Sequence, residues 1–173
     1  MKSTSIRVFG LSVLFVFAAL VYAQAQPKSP KMTANGKVGD ANITIEYSSP
    51  SANGREIWGG LVPYGKVWRA GANNATTFET DKDIMVGGNK LAKGKYSIYI
   101  IPNEKDWQVI FNKEVGQWGI NRDGTSTRKP ESDVFIVKTT PTAADMQESL
   151  SYAVAGDSFT IAWEKLKASV PLK

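Results

Sequence analysis

The sequence predicts an all-β protein: an antiparallel β-sandwich of jelly-roll or Greek-key type with about eight or nine short strands. Three observations carry this. Short runs rich in Val, Ile, Thr, Tyr, Phe and Trp recur along the chain. Clusters of Gly, Pro, Asn and Asp punctuate them about every 8–12 residues. Beyond the N-terminal segment, no long stretch holds the period of an amphipathic helix. A barrel is the alternative, since the two differ in strand pairing and a lone sequence does not display pairing.

In chain order, Met1–Arg7 is short and basic, Val8–Tyr22 is apolar, and Ala23-Gln24-Ala25 places small residues at alternate positions. These are the three parts of a secretory signal peptide. The apolar run is about 15 residues, short of the roughly 20 that span a bilayer as a helix, so cleavage is expected rather than an anchor. The expected cut follows Ala25, with Ala23 as the alternative. A lipid anchor would need a cysteine at the cut, and the chain has none. The mature protein is then periplasmic or secreted, with no membrane insertion after cleavage. Residues 26–37, QPKSPKMTANGK, read as a flexible leader into a single domain over 38–173.

Within that domain Ile43, Ile45 and Tyr47 alternate with Thr44 and Glu46, as in a half-buried strand. A turn cluster, SSPSANG, follows. Ile57-Trp58 and Leu61-Val62 suit either a helical turn or an edge strand. Pro63-Tyr64-Gly65 reads as a turn, with Val67-Trp68 extended after it. Residues 76–80 and 84–86 are strands, and Gly87-Gly88-Asn89 makes a hairpin because these residues accept positive φ. YSIYII (96–101) and WQVIF (107–111) continue an antiparallel meander. Residues 112–132 lack periodicity, and a loop that long in a compact domain is often functional. VFIVKTT (134–140) is a strand and Ala143–Gln147 a helical turn. Residues 150–155 and 158–163 form a hairpin around Gly156-Asp157, and Ala168–Leu172 is a last edge strand.

Composition removes whole classes of chemistry. With no cysteine and no histidine among 173 residues, thiol nucleophiles, disulfides, imidazole bases and Ser-His-Asp triads are excluded. No cofactor and no metal site is expected. Loss of Lys2 and Arg7 with the signal takes the formal charge from +5 to about +3, too weak to indicate nucleic acid.

The densest chemistry lies in REIWGGLVPYGKVWRAGANNATT, residues 55–77. Arg55, Lys66 and Arg69 are interleaved with Trp58, Tyr64 and Trp68, and Glu56 is the sole acid. Guanidinium forks bind carboxylate or phosphate and aromatic faces stack, so the stretch suits a ligand with an anionic group and a flat or sugar-like face. Arg55, Trp58, Lys66, Trp68, Arg69 and Asn73 are the candidate ligand-binding residues. The plain structural alternative places the tryptophans in the core, with an arginine stacked on a ring or paired with Glu46 or Glu79. For Asn73, Asn74, Thr76 and Thr77 the alternative is a turn bonding its own backbone. Asn121–Ser126 has the alternate oxygens and glycine of a calcium loop, but lacks a closing glutamate and carries opposing Arg122 and Arg128. Asp81 and Asp83 fit a solvated turn. No catalytic residue stands out, since nothing in the spacing of Glu46, Glu56, Glu79 and Asp123 selects a pair.

GGLVPYGKVWRAGANNATT, DIMVGGNKLAKGKYSIYIIP and WQVIFNK, with the late FTIAWEK, together resemble a bacterial exported family, the domain of unknown function numbered 2911. The resemblance runs from about Ile45 to the C-terminus. It implies a secreted, single-domain, mostly β protein and supplies no catalytic residues. Three function classes follow: a non-enzymatic β-sandwich binding a small molecule, glycan or partner; a hydrolase using carboxylates; and a structural protein binding an envelope partner through an apolar patch or the open edge at Ala168–Leu172.

Overall fold

The computed structural model describes residues 28–173; the signal-peptide and cleavage reading of residues 1–25 lies outside the described residues. Ten strands form: β1 (Lys31–Val38), β2 (Ala41–Ser48), β3 (Thr77–Thr80), β4 (Ile84–Val86), β5 (Asn89–Leu91), β6 (Gly94–Pro102), β7 (Trp107–Asn112), β8 (Asp133–Thr139), β9 (Thr142–Ala155) and β10 (Ser158–Pro171). The helical piece among the described residues is a 3-10 turn at Pro130–Ser132. β1-β2-β3-β6-β7-β8 make one six-stranded sheet, and β9–β10 and β4–β5 are two-stranded. All the strand pairings are antiparallel. No sheet closes on itself, so the barrel alternative is set aside.

The predicted alternation in β2 holds: Ile43, Ile45 and Tyr47 are buried. They join Phe78, Ile98, Val109 and Phe111 on one face of the large sheet, against Tyr152, Phe159, Ile161 and Trp163 of the β9–β10 hairpin. The β4–β5 loop is Gly87-Gly88, with φ of 54° and 83°, the two positive values a type I′ turn needs. On the sheet's other face, Ala75, Tyr99 and Ile110 form a smaller core. The 113–129 loop lies against it, with Gln117 Nε2 donating to the Tyr99 hydroxyl at 2.8 Å.

Three expectations are corrected. The supposed leader is largely β1, paired with β2 from Lys31↔Ser48 to Val38↔Ala41. As an edge strand facing mostly solvent it has polar side chains, so its composition hides it. Ala143–Gln147 is no helical turn but the start of β9. Backbone pairing with β10 (Ala143↔Leu166, Gln147↔Glu164) overrides its weak strand propensity, with a bulge on either side of Glu164. The end of the chain is not an open edge: Met85 and Lys173 exchange backbone bonds of 2.6 and 2.9 Å, and Ala168, Val170 and Leu172 are buried.

Candidate functional site: a basic groove floored by tryptophan

Residues 55–76 leave regular structure, and specific bonds fix their path. Leu61 N donates to Glu56 O at 3.0 Å and Val62 N to Ile57 O at 2.8 Å, a folded-back loop that is neither helical turn nor edge strand. The expected Pro63–Lys66 turn forms, with Gly65 at φ 70° and its N–H donating to Pro102 O at 2.8 Å. Trp68 then pairs with Ile100 of β6 through bonds of 2.7 and 2.8 Å. Ala70 follows with φ 57°, a strained value for a residue with a Cβ. Such strain persists where surroundings over-determine the backbone. Here Ala70 O accepts from the Tyr152 hydroxyl at 2.7 Å and from Thr76 Oγ1 at 2.9 Å. Complete burial pushes the Tyr152 phenol well above its ordinary pKa.

Four tryptophans gather beneath this segment. Trp58 lies 4.4 Å from Trp107, 5.7 Å from Trp68 and 6.1 Å from Trp163, centroid to centroid. Trp68 stacks on Trp163 at 5.9 Å and 22°. Their N–H groups tie segments together: Trp58 Nε1 donates to Trp163 O (3.1 Å), Trp68 Nε1 to Gly71 O (3.2 Å) and Trp163 Nε1 to Glu148 O (3.3 Å).

Beside them opens a groove of about 1340 Å³, lined by residues of the 61–72 segment and Gly119–Ser126 and by parts of 28–29 and 50–55. Its cations are Lys28, Arg55, Lys66 and Arg69, and its one carboxylate is Asp123. None of these cations forms a salt bridge among the described residues. Arg55 bonds carbonyls of its own turn, Ala52 O at 2.9 Å and Ser51 O at 2.6 Å. Arg69 donates to Trp118 O at 3.2 Å and lies 5.5 Å from the centre of the Trp118 ring. Burial lowers its pKa, but a guanidinium stays charged. Gly119, at φ 87°, lets the loop approach: a Cβ there would sit 2.6 Å from Arg69 Cβ.

Of the sequence candidates, Arg55, Lys66, Trp68 and Arg69 line the groove. Trp58 is buried beneath it, and Asn73 is not in the lining: its amide reaches Ser29 O (3.4 Å) and Ser48 Oγ (3.2 Å), distant partners rather than the backbone of its own turn. Sequence reasoning missed Trp163, Trp118 and Gly119, which reach the site only through tertiary pairing. Glu46 and Glu79 pair with Lys95 rather than with an arginine; the Lys95 hydrogen bond holds the Glu46 carboxyl below its ordinary pKa. Asn121–Ser126 closes on itself, Thr125 N and Oγ1 donating to Asp123 Oδ1 at 2.9 and 2.7 Å. Among the described residues no group of three acids could hold a metal ion.

The fold and groove define an all-β antiparallel protein whose site is built from irregular loops over a tryptophan floor. The family described as protein of unknown function (DUF2911) matches residues 29–172, and the chain belongs to that family. No curated protein and no solved structure matches it. Among the described residues, no helix is long and apolar enough to cross a membrane.

Proposed function

We propose that this is an exported protein, periplasmic or secreted, that works by binding a small molecule, glycan or partner rather than by catalysis. Its scaffold is a sandwich of the six-stranded sheet and the β9–β10 hairpin, and its ligand lies in the basic groove. The observation that carries this is that four cations and one carboxylate line one groove together with the stacked Trp68. Arg69 also stacks on Trp118 and Arg55 also ties its own turn, as the structural alternative expected of an arginine, but cations with no partner acid beside a rigid aromatic face leave charge for an anionic ligand. The hydrolase alternative needs two acids about 5–10 Å apart across a cleft, and this lining offers one.

A thermal-shift screen of residues 26–173 with glycans, phosphates, carboxylates and divalent cations tests this. A ligand at 100 times its Kd stabilises by about 2.7 kcal/mol, and Arg69→Ala, at about tenfold weaker binding, is expected to cut this to about 1.4 kcal/mol. A hit left unchanged by both Arg69→Ala and Lys66→Ala would remove the groove as the site.

A further inference from the structure

We propose that the groove's ligand class is an acidic oligosaccharide, a short run of pyranose rings bearing carboxylates. This rests on the reading of the groove as the binding site and goes further by naming the chemistry.

Size comes first. At about 1340 Å³ the groove exceeds the roughly 300–1,000 Å³ of a site for one drug-sized molecule, so a single ring would leave most of it wet. It is also partly open to solvent.

Trp68 supplies the platform. It is half-buried, with Trp163 stacked against it, Trp58 on its edge and its N–H tied to Gly71 O. Held this way, it loses little entropy on binding. The C–H face of a pyranose fits a flat indole, whereas a purely ionic ligand would gain nothing from it.

Charge distribution sets the rest. Arg55 is fixed to the 51–52 carbonyls, Arg69 to the 113–129 loop, and Lys66 sits on the exposed turn after Pro63. These cations are thus held by three different stretches of chain around one groove. A nucleotide polyphosphate calls for convergent donors, a helix N-terminus or a metal-binding acid cluster. Among the described residues there is no α-helix and no such cluster. Carboxylates spaced ring by ring match separated cations. Asn53 adds an amide of the kind that bonds sugar hydroxyls, while the lining hydroxyls of Ser51, Thr125 and Ser126 already bond Ser149, Asp123 and Gly119.

Calorimetric titration of residues 26–173 with tri-galacturonate tests this. The same trisaccharide with its carboxylates methyl-esterified, the galacturonate monomer and inorganic phosphate serve as controls. The expected result is binding of tri-galacturonate that weakens with salt, and is roughly tenfold or more weaker for the ester and the monomer. Arg69→Ala should weaken it by about tenfold. Because that change also frees Trp118, Lys66→Ala on the exposed turn is the second variant, with weakening in the same direction. Equal binding of the ester overturns the acidic class while leaving the groove reading intact, as does preference for phosphate or for the monomer. Silence from all four probes, with another ligand found in the groove, overturns the sugar assignment alone. Tri-galacturonate binding that neither variant weakens overturns this inference and the groove reading together.

Discussion

The phenylalanine and tryptophan clusters among the described residues are built differently. Phe78, Phe111, Phe135 and Phe159 sit on regular strands, with centroid separations from 5.1 to 6.4 Å. They carry no polar atom and fill the interior. Trp58, Trp68, Trp107 and Trp163 mix strand and loop positions; the Trp58 and Trp163 N–H groups bond backbone carbonyls of other segments, and that of Trp68 bonds Gly71 O in its own loop. The Trp107 N–H is buried without a partner among the described residues. The phenylalanine cluster holds the layers together, and the tryptophan cluster additionally anchors an irregular segment and offers one ring to solvent. Both sets belong to one core, with Trp58, Trp107 and Trp163 buried beside Phe78, Phe111 and Phe159, and Trp68 is the half-buried member at its margin.

Three substitutions probe how far the two sets act independently. The largest effect is expected from Phe111→Ala, which deletes a fully buried ring. It should cost about 3–5 kcal/mol in chemical denaturation, while protein that remains folded binds ligand unchanged. A parallel loss of affinity would show that the clusters are not independent. Next is Gly119→Ala, where a Cβ would fall 2.6 Å from Arg69 Cβ at a φ of 87°. We expect about 1–3 kcal/mol of destabilisation together with weakened groove binding, because Arg69 must shift. If stability falls but binding holds, Arg69 is not part of the recognition surface.

The smallest effect is expected from Tyr152→Phe, about 1 kcal/mol near neutral pH from the lost bond to Ala70 O, since Thr76 still donates there. Its pH signature is more informative. Burial raises the folded-state pKa of Tyr152 above its ordinary value of 10.0. The group therefore contributes stability that is fully present below about pH 10 and is lost as pH rises further, because only the unfolded chain ionises readily. Tyr152→Phe should flatten that alkaline decline in melts followed across pH 9–12. Some slope remains from Tyr99, which burial also raises. An unchanged slope would mean that the Tyr152 hydroxyl is not sealed from solvent.

Much of the fold was legible because burial writes itself into alternation, as at Ile43, Ile45 and Tyr47, or into turn chemistry, as at Gly87-Gly88. β1 escaped because an edge strand has little core to reach and so keeps a polar composition. The first half of β9 escaped because TAADMQE has no strand signature of its own and follows β10. The site divides similarly. Arg55, Lys66, Trp68 and Arg69 are close in sequence and could be grouped by chemistry alone. Trp163 and Gly119 could not, since each reaches the groove through pairing that spans much of the chain. Trp58 carries the same local signal as Trp68; what separates them is that the Trp58 N–H finds Trp163 O indoors.

The bond from Trp58 to Trp163 joins residues 105 apart, and it has a temporal meaning. During synthesis the six-stranded sheet is complete in sequence once β8 is made, yet Phe78, Ile98 and Phe111 still face no hairpin. Only when β10 emerges does the apolar face acquire its full cover and the 55–76 segment, already paired with β6, its bond from Trp58 to Trp163. Folding is therefore a late closing event dominated by distant contacts, the kind that proceeds slowly. A nascent chain of this design stays unfinished for most of its synthesis, the state in which a translocation channel or holding chaperone can still engage it.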